Sequence, residues 1–420
     1  MTTATPSRLP FLDGLRLAAF ALLIPYHVGM YYVSWDWHVK SATPHPGLEP
    51  FMLLTSPWRL GLLFFVAGAA CQGLMARRGT WGVWRDRSRR LLWPLLFGMA
   101  VIVVPQAYFE VLTRVPDQLP GDGGYLDFWA AYLQGGRYCR GQDCMSVPTW
   151  NHLWFLPYLW LYACMGALLA PRLARWFGAA RPRWLANPWA WCLLPLLPLA
   201  AARVGLLSAF PSTHDLVGDL YNHAQYGWLF ALGWAVRTPA GSAFWAHALR
   251  ARWALLGVAL LAWGATVAYF QTYDVAPPPE GLRMAMRVVW AGMSWWAIAA
   301  ACGWAQRAFQ RESPLLRAWS AAVFCLYVLH QSVIVLLAMA LKPVGLPWGL
   351  EAVLLIVLTT SICALAYALL RHVPVLRVLV GIEPPRGPSQ SAVAPAGAAR
   401  GLRASAAPTP RPPRGRARWP

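Results

Sequence analysis

The chain has 420 residues, is 58% hydrophobic and only 12% charged, about half the charged share usual in soluble domains. That balance excludes an ordinary soluble domain and points to lipid as the solvent. A formal net charge of +20 would suggest nucleic acid in a soluble protein, so the location of the charges has to be settled before a partner is inferred.

Apolar runs of about 20 residues, the length that spans ~30 Å of hydrocarbon, fall at roughly 13–33, 56–76, 91–111, 151–171, 189–208, 222–238, 252–271, 288–306, 318–340 and 348–371. The expected fold is an all-α integral membrane protein with about ten transmembrane helices; the sixth run, "NHAQYGWLFALGWAVR", is the shortest. With a cytoplasmic N-terminus, 27 of the 36 basic residues lie in cytoplasmic segments, and the excess persists without the nine arginines from Arg371 onward. By the positive-inside rule both termini are expected in the cytoplasm of a multi-pass protein of the cell inner membrane. Topology thus absorbs much of the charge, and no nucleic acid is called for. A removable signal peptide is not expected, because the first run is too long and has no A-x-A-like site behind it.

The first run, "LDGLRLAAFALLIPYHVGMYY", carries Arg16, Pro25 and His27. Eleven residues of helix turn through about three full turns and rise ~16 Å, so Arg16 and His27 should share one face at different depths. Pro25 removes a backbone hydrogen bond and should bend the helix before the histidine. The pattern suits a polar face along a cavity; the alternative is a histidine that only bonds a neighbouring helix.

After the second run comes "RRGTWGVWRDRSRRLLWP". Its arginines suit phosphate groups, which a guanidinium binds bidentately, and equally suit plain topology. The loop at about 112–150 holds Cys139 and Cys144 in "RYCRGQDCMS", either a disulfide in an oxidising exterior or two free thiols. No His pair stands near them at ligand spacing, so no metal is expected. Other ionisable groups within the runs are Glu110, His152, Arg203, His223, His330 and Glu351, with Arg59 at a helix start. Such groups usually face a protein interior or a wet cavity; Arg59, Glu110 and Arg203 lie near helix ends and are expected to snorkel. One polytopic domain, 1–380, is expected to precede a Pro/Ala/Arg-rich disordered cytoplasmic tail, 381–420, whose arginines suit anionic lipid.

Taken together, "FLDGLRLAAFALLIPYH" resembles the first-helix signature of the membrane-bound acyltransferase family 3, Asp-Gly-x-Arg followed by a histidine, which Arg16 and His27 match. "RSRRLLWP" is similar to that family's Arg-x-x-Arg motif, with Arg87 and Arg90 as the pair and the proline one position further on than in many members. "NHLWFLPYLWLY" and "FCLYVLHQSVIVLL" resemble two later helices, especially in the glucans biosynthesis protein C-like branch. The resemblance covers roughly residues 8–380; in place of the soluble domain that many members carry it has a tail, as stand-alone members do.

The resemblance implies an O-acyltransferase that moves an acyl group from a cytoplasmic acyl-coenzyme A to a hydroxyl of an extracytoplasmic carbohydrate. Arg16, Arg87 and Arg90 would hold the coenzyme A phosphates, and His27 would act as general base or as acyl carrier. His152 and His330 match family positions, lining the acceptor side or bonding structurally, and Asp13 is assigned no catalytic role. The competing reading is a transporter of a small anion or an acylated glycan using the same Arg and His, although neither inverted repeats nor paired broken helices are visible.

Overall fold

A computed structural model describes residues 9–178, 187–239 and 241–383, without the side chains of 173–178. Among them, seven helical stretches are long and apolar enough to cross a membrane: Pro10–Tyr32, Pro46–Arg114, Asn151–Arg172, Ala243–Thr272, Glu280–Ala308, Pro314–Val344 and Trp348–Leu370. Pro46–Arg114 contains two of the expected spans. The expected spans 189–208 and 222–238 are shorter helices, α9 (Pro188–Leu193), α10 (Leu196–Gly205) and α11 (Leu220–Ala235). Most of the expected tail, from residue 384, lies outside the described residues.

Proline sets the first break. The chain forms α1 (Pro10–Ala21) and α2 (Leu23–Tyr32), and the interruption falls where the Pro25 ring crowds the carbonyl four residues back, that of Ala21. Bonds from Leu22 N–H to Ala18 O and from Tyr26 N–H to Leu22 O carry the path across the bend. Next come α3 (Glu49–Thr55) and α4 (Arg59–Arg87). Gly79 has φ 65° and ψ −178° inside α4, a conformation open to glycine, so the spanning part ends there and Thr80–Arg87 turns away.

Two π-helical turns follow, Ser88–Leu92 before α5 (Trp93–Phe97) and Gly98–Ile102 before α6 (Val104–Arg114). Each precedes a proline at the second position of the next helix, Pro94 and Pro105. A wider turn moves the preceding carbonyls off the pyrrolidine ring; Val103 N–H reaches back to Gly98 O at 2.8 Å. Outside this helix lies a small unit of α7 (Tyr125–Gln134) and an antiparallel hairpin, β1 (Gly136–Arg140) with β2 (Asp143–Val147). Val104, Ala107, Val111, Phe128, Tyr132 and Val147 form its own core. Cys139 pairs with Cys144 in the register and the two are disulfide-bonded.

The main core packs α8 (Phe155–Gly178), α4, α11, α13 (Glu280–Ala308) and α14 (Pro314–Leu341) around Phe64, Phe65, Leu156, Tyr158, Trp295 and Val328. Helices α4 and α11 meet at bare backbone. A Cβ on Gly68 would lie 2.0 Å from Phe230 O, and one on Gly233 1.8 Å from Phe65 O, the small-residue contact that membrane helices use in place of a hydrophobic drive. Helix α14 is the most enclosed span, with 72% of its most apolar stretch buried; α15 (Trp348–Leu370) is the least, with 17%. Large apolar side chains on α15 and on α12 (Ala243–Thr272), such as Val353, Leu365 and Leu261, remain exposed, as a lipid-facing surface requires.

Candidate active site

Arg16 and His27 both face α14. The Arg16 Nη2 donates to Ser320 O at 3.0 Å, and the His27 ring meets His330 with Nδ1 and Nε2 2.9 Å apart. The partners are ten residues apart on α14 and follow the same chain order, so α1 and α2 run alongside α14 in parallel, with the two polar residues on one face.

The tautomers follow from the partners. The His330 Nδ1 lies 2.7 Å from the carbonyl of Tyr327, which can only accept, so Nδ1 carries the proton and Nε2 is a lone pair. His27 must then donate its own Nδ1–H to that lone pair, which leaves its Nε2 unprotonated. Among the described residues, the His27 Nε2 takes no hydrogen-bond partner. A fixed imidazole with an open basic nitrogen has the form of a general base.

His152 is the third member of the cluster. It stands edge-on to His330, ring centroids 5.3 Å apart, but both its nitrogens are occupied: Nε2–H donates to Val328 O at 3.1 Å, and Nδ1 accepts from Gln106 Nε2 at 3.2 Å. Gln106 also donates to Ser332 Oγ at 2.6 Å, and its Oε1 accepts from Gln331 at 3.1 Å and Asn151 at 3.2 Å. Gln331 gives its other proton to His38 Nε2 at 2.8 Å, and His38 Nδ1–H donates to Glu110 at 2.5 Å. Glu110 in turn pairs with Arg114 at 3.4 Å, which also holds Asp36 at 2.7 Å. A closed polar chain therefore runs from His152 outward to Asp36, and its histidines have no spare lone pair.

This geometry corrects three sequence expectations. Glu110 does not snorkel but anchors His38. Arg203 packs 4.4 Å over the Trp290 ring and donates to Tyr221. Arg59 is only 5% exposed, with its guanidinium 3.1 Å from the Tyr26 ring centroid. A helix-start position had suggested an escape to water, whereas α3 and the Ser56–Trp58 turn extend the chain beyond it.

The three arginines expected to hold phosphates make separate contacts. Arg16 also pairs with Asp13 at 3.5 Å, Arg87 lies against the Cys71 thiol, and Arg90, inside the first π turn, pairs with Glu383. They share an end of the molecule nonetheless: Gly381 packs on Phe324 and beside Pro94, one turn along α14 from the Arg16 partner. A cleft of about 500 Å³ opens at this end, lined by Leu17, Arg307, Phe309, Gln310, Arg311 and Trp319. Sequence reasoning counted Arg307 and Arg311 only as topology determinants. His38, Gln106 and Gln331 were also missed; the run His330-Gln331-Ser332 within a span was the available signal.

The helices and their polar interior define a multi-pass membrane protein with a buried histidine site. Residues 9–368 match the acyltransferase domain of acyltransferase family 3, and the chain belongs to that family. Curated relatives include glucans biosynthesis protein C of Salmonella paratyphi B, Salmonella heidelberg and Salmonella agona, each 27% identical over 156 residues. The match spans 37% of this chain and 37% of each relative. The comparison with solved structures found no match for the chain.

Proposed function

We propose that the protein is an integral-membrane O-acyltransferase of the cell inner membrane, with ten spans and both termini in the cytoplasm, that passes an acyl group from cytoplasmic acyl-coenzyme A to a hydroxyl of an extracytoplasmic carbohydrate. The observation that carries this reading is the open Nε2 of His27, fixed by His330 on the face that also bears Arg16. The name of the Salmonella relatives supports a glucan or another cell-envelope glycan as acceptor.

On this reading the donor enters at the end of α14 that receives Arg16. Arg16, Arg87 and Arg90 bind its phosphates, with Arg307 and Arg311 at the adjacent cleft. The Arg90–Glu383 pair is no obstacle, since half-exposed pairs contribute about 0–1 kcal/mol and a phosphate can replace the carboxylate. The pantetheine arm follows α1 inward and brings the thioester to His27. The acceptor hydroxyl gives its proton to Nε2 as its oxygen bonds to the acyl carbon. The C–S bond then breaks, and the thiolate leaves as the thiol with that proton. In the covalent variant Nε2 attacks the thioester first, the C–S bond breaks and the thiolate leaves; the acceptor hydroxyl then attacks the acyl-imidazole, the C–N bond breaks, and the hydroxyl proton ends on the thiolate. His152, His38 and Glu110 form the wall of the acceptor side.

The test is consumption of acyl-coenzyme A by the detergent-purified protein, with His27→Ala as control. Turnover by the parent and its loss in the variant support the proposal. No binding or consumption by either, together with substrate flux in whole cells, replaces it with the transporter reading.

A further inference from the structure

Arg59 is a buried cation that has no carboxylate partner among the described residues. It is 5% exposed, and its Nε and Nη1 are buried without a hydrogen-bond partner. The Tyr26 ring beneath it, 3.1 Å from the guanidinium carbon, offers a π face but no anion. The buried carboxylates among the described residues are committed elsewhere: Glu351 accepts from Tyr32 at 2.7 Å, and Asp219 accepts from Tyr158, Asn222 and the His214 amide. A guanidinium keeps its proton, and an unpaired buried charge is strongly disfavoured. The compensating negative charge therefore belongs to something that binds.

Position says what that is. Tyr26 precedes His27, the two rings are 5.8 Å apart, and the Arg59 charge acts on the His27 ring. Among the described residues no carboxylate is placed here, so the site suits a charge that exists only while the reaction proceeds.

We infer that Arg59 is a catalytic residue that binds the oxyanion formed on the acyl carbonyl when the acceptor hydroxyl attacks. This inference rests on the acyl-transfer reading. In the step, the carbonyl π electrons move onto oxygen as the new C–O bond forms and the hydroxyl proton passes to His27. The oxygen charge collapses back as the C–S bond breaks. A fixed guanidinium in a dry site stabilises that charge without rearranging.

The experiment compares the full-length protein with Arg59→Met and Arg59→Lys, using an acyl-coenzyme A that the parent consumes. Expected are a fall in kcat of about 10²–10³-fold in Arg59→Met, partial recovery in Arg59→Lys, and a KM for the donor within about threefold. The apparent unfolding temperature of Arg59→Met without substrate should equal or exceed that of the parent, because the lost charge has no anionic protein partner and the thioether can still pack on the Tyr26 ring. A raised KM with unchanged kcat, confined to donors whose acyl group bears a carboxylate, would make Arg59 a binder of that carboxylate and overturn the inference. A lower unfolding temperature in both variants would make it structural and overturn it as well. If the parent consumes no donor, the acyl-transfer reading fails and takes this inference with it; parent turnover with an unaffected Arg59→Met removes the inference alone.

Discussion

His330→Leu tests the tautomer argument at its hinge. The substitution removes the lone pair that accepts the His27 Nδ1–H at 2.9 Å and leaves that donor buried without a partner. An unsatisfied buried donor costs about 1–3 kcal/mol, and His27 can escape the cost by moving its proton to Nε2, the nitrogen that has to be basic. If the competent tautomer is disfavoured by that amount, kcat should fall by roughly 5- to 150-fold, at ~1.36 kcal/mol per factor of ten. His330→Gln, whose amide oxygen can still accept, should lose less. His27→Ala removes the base itself and should lose about 10²–10⁴-fold. The assay is steady-state consumption of acyl-coenzyme A in detergent at saturating acceptor, with donor KM followed in parallel. Because His330 lies ten residues from the Arg16 end of α14, donor KM should stay within a few-fold. A His330→Leu protein with parental kcat, or one whose loss lies wholly in donor KM, would refute the reasoning.

Four further outcomes follow from other parts of the molecule. Glu110→Gln weakens the charge-assisted bond to His38 and the pair with Arg114, and should lower the apparent unfolding temperature by an amount equivalent to about 1–3 kcal/mol while donor KM is unchanged; thermal melting with donor titration checks both. Gly68→Ala places a methyl 2.0 Å from Phe230 O and should separate α4 from α11 at a cost of several kcal/mol, visible as aggregation in size-exclusion chromatography. Thiol titration of the denatured protein should find six free thiols before reduction and eight after, and Cys139→Ser should cost about 2 kcal/mol locally for so short a loop with kcat preserved. In the 206–219 connection, burial holds His214 below its usual pKa although Asp219 and Asp215 oppose the shift. The unfolded chain therefore binds the proton more readily, so His214 contributes stability above about pH 6.5 that is lost as pH falls through its folded value. His214→Gln should flatten the decline of unfolding temperature on acidification, and an unchanged slope would remove this account.

The helical skeleton was legible because each span has to satisfy its backbone internally and present apolar side chains outward, so about 20 apolar residues leave a plain signature. The bend before His27 was legible for the same reason: a proline acts on the carbonyl four residues back wherever the helix sits. Arg16 and His27 on one face came from helix periodicity alone, and their bonds to Ser320 and His330 agree with it. Distance along the chain hid the rest. His38 lies in a loop that composition treats as a connector, and it acquires its place only when Glu110 and Gln331, 72 and 293 residues away, fold against it. Arg59 misled for a different reason. Snorkelling depends on how near the water is, and a position at the start of a helix does not reveal whether the chain before it covers the end.

The run His330-Gln331-Ser332 carries information about more than its own bonds. Successive residues on a helix point about 100° apart, so three in a row look in nearly every direction. His330 meets His27, Gln331 meets His38 and Gln106, and Ser332 meets Gln106 and the Ile102 carbonyl. A span that has to satisfy polar groups on all sides has no face to give to lipid, so α14 has to stand inside the bundle, as its burial shows. The same geometry divides the interior. On the α2 side of α14 the cluster ends in an open nitrogen and an uncompensated guanidinium; on the α6 side every donor has its acceptor. A closed network resists rearrangement because each broken bond leaves a buried polar group unpaired. It therefore serves as the fixed wall against which His330 aligns His27, and the chemistry is expected on the side where bonds are still to be made.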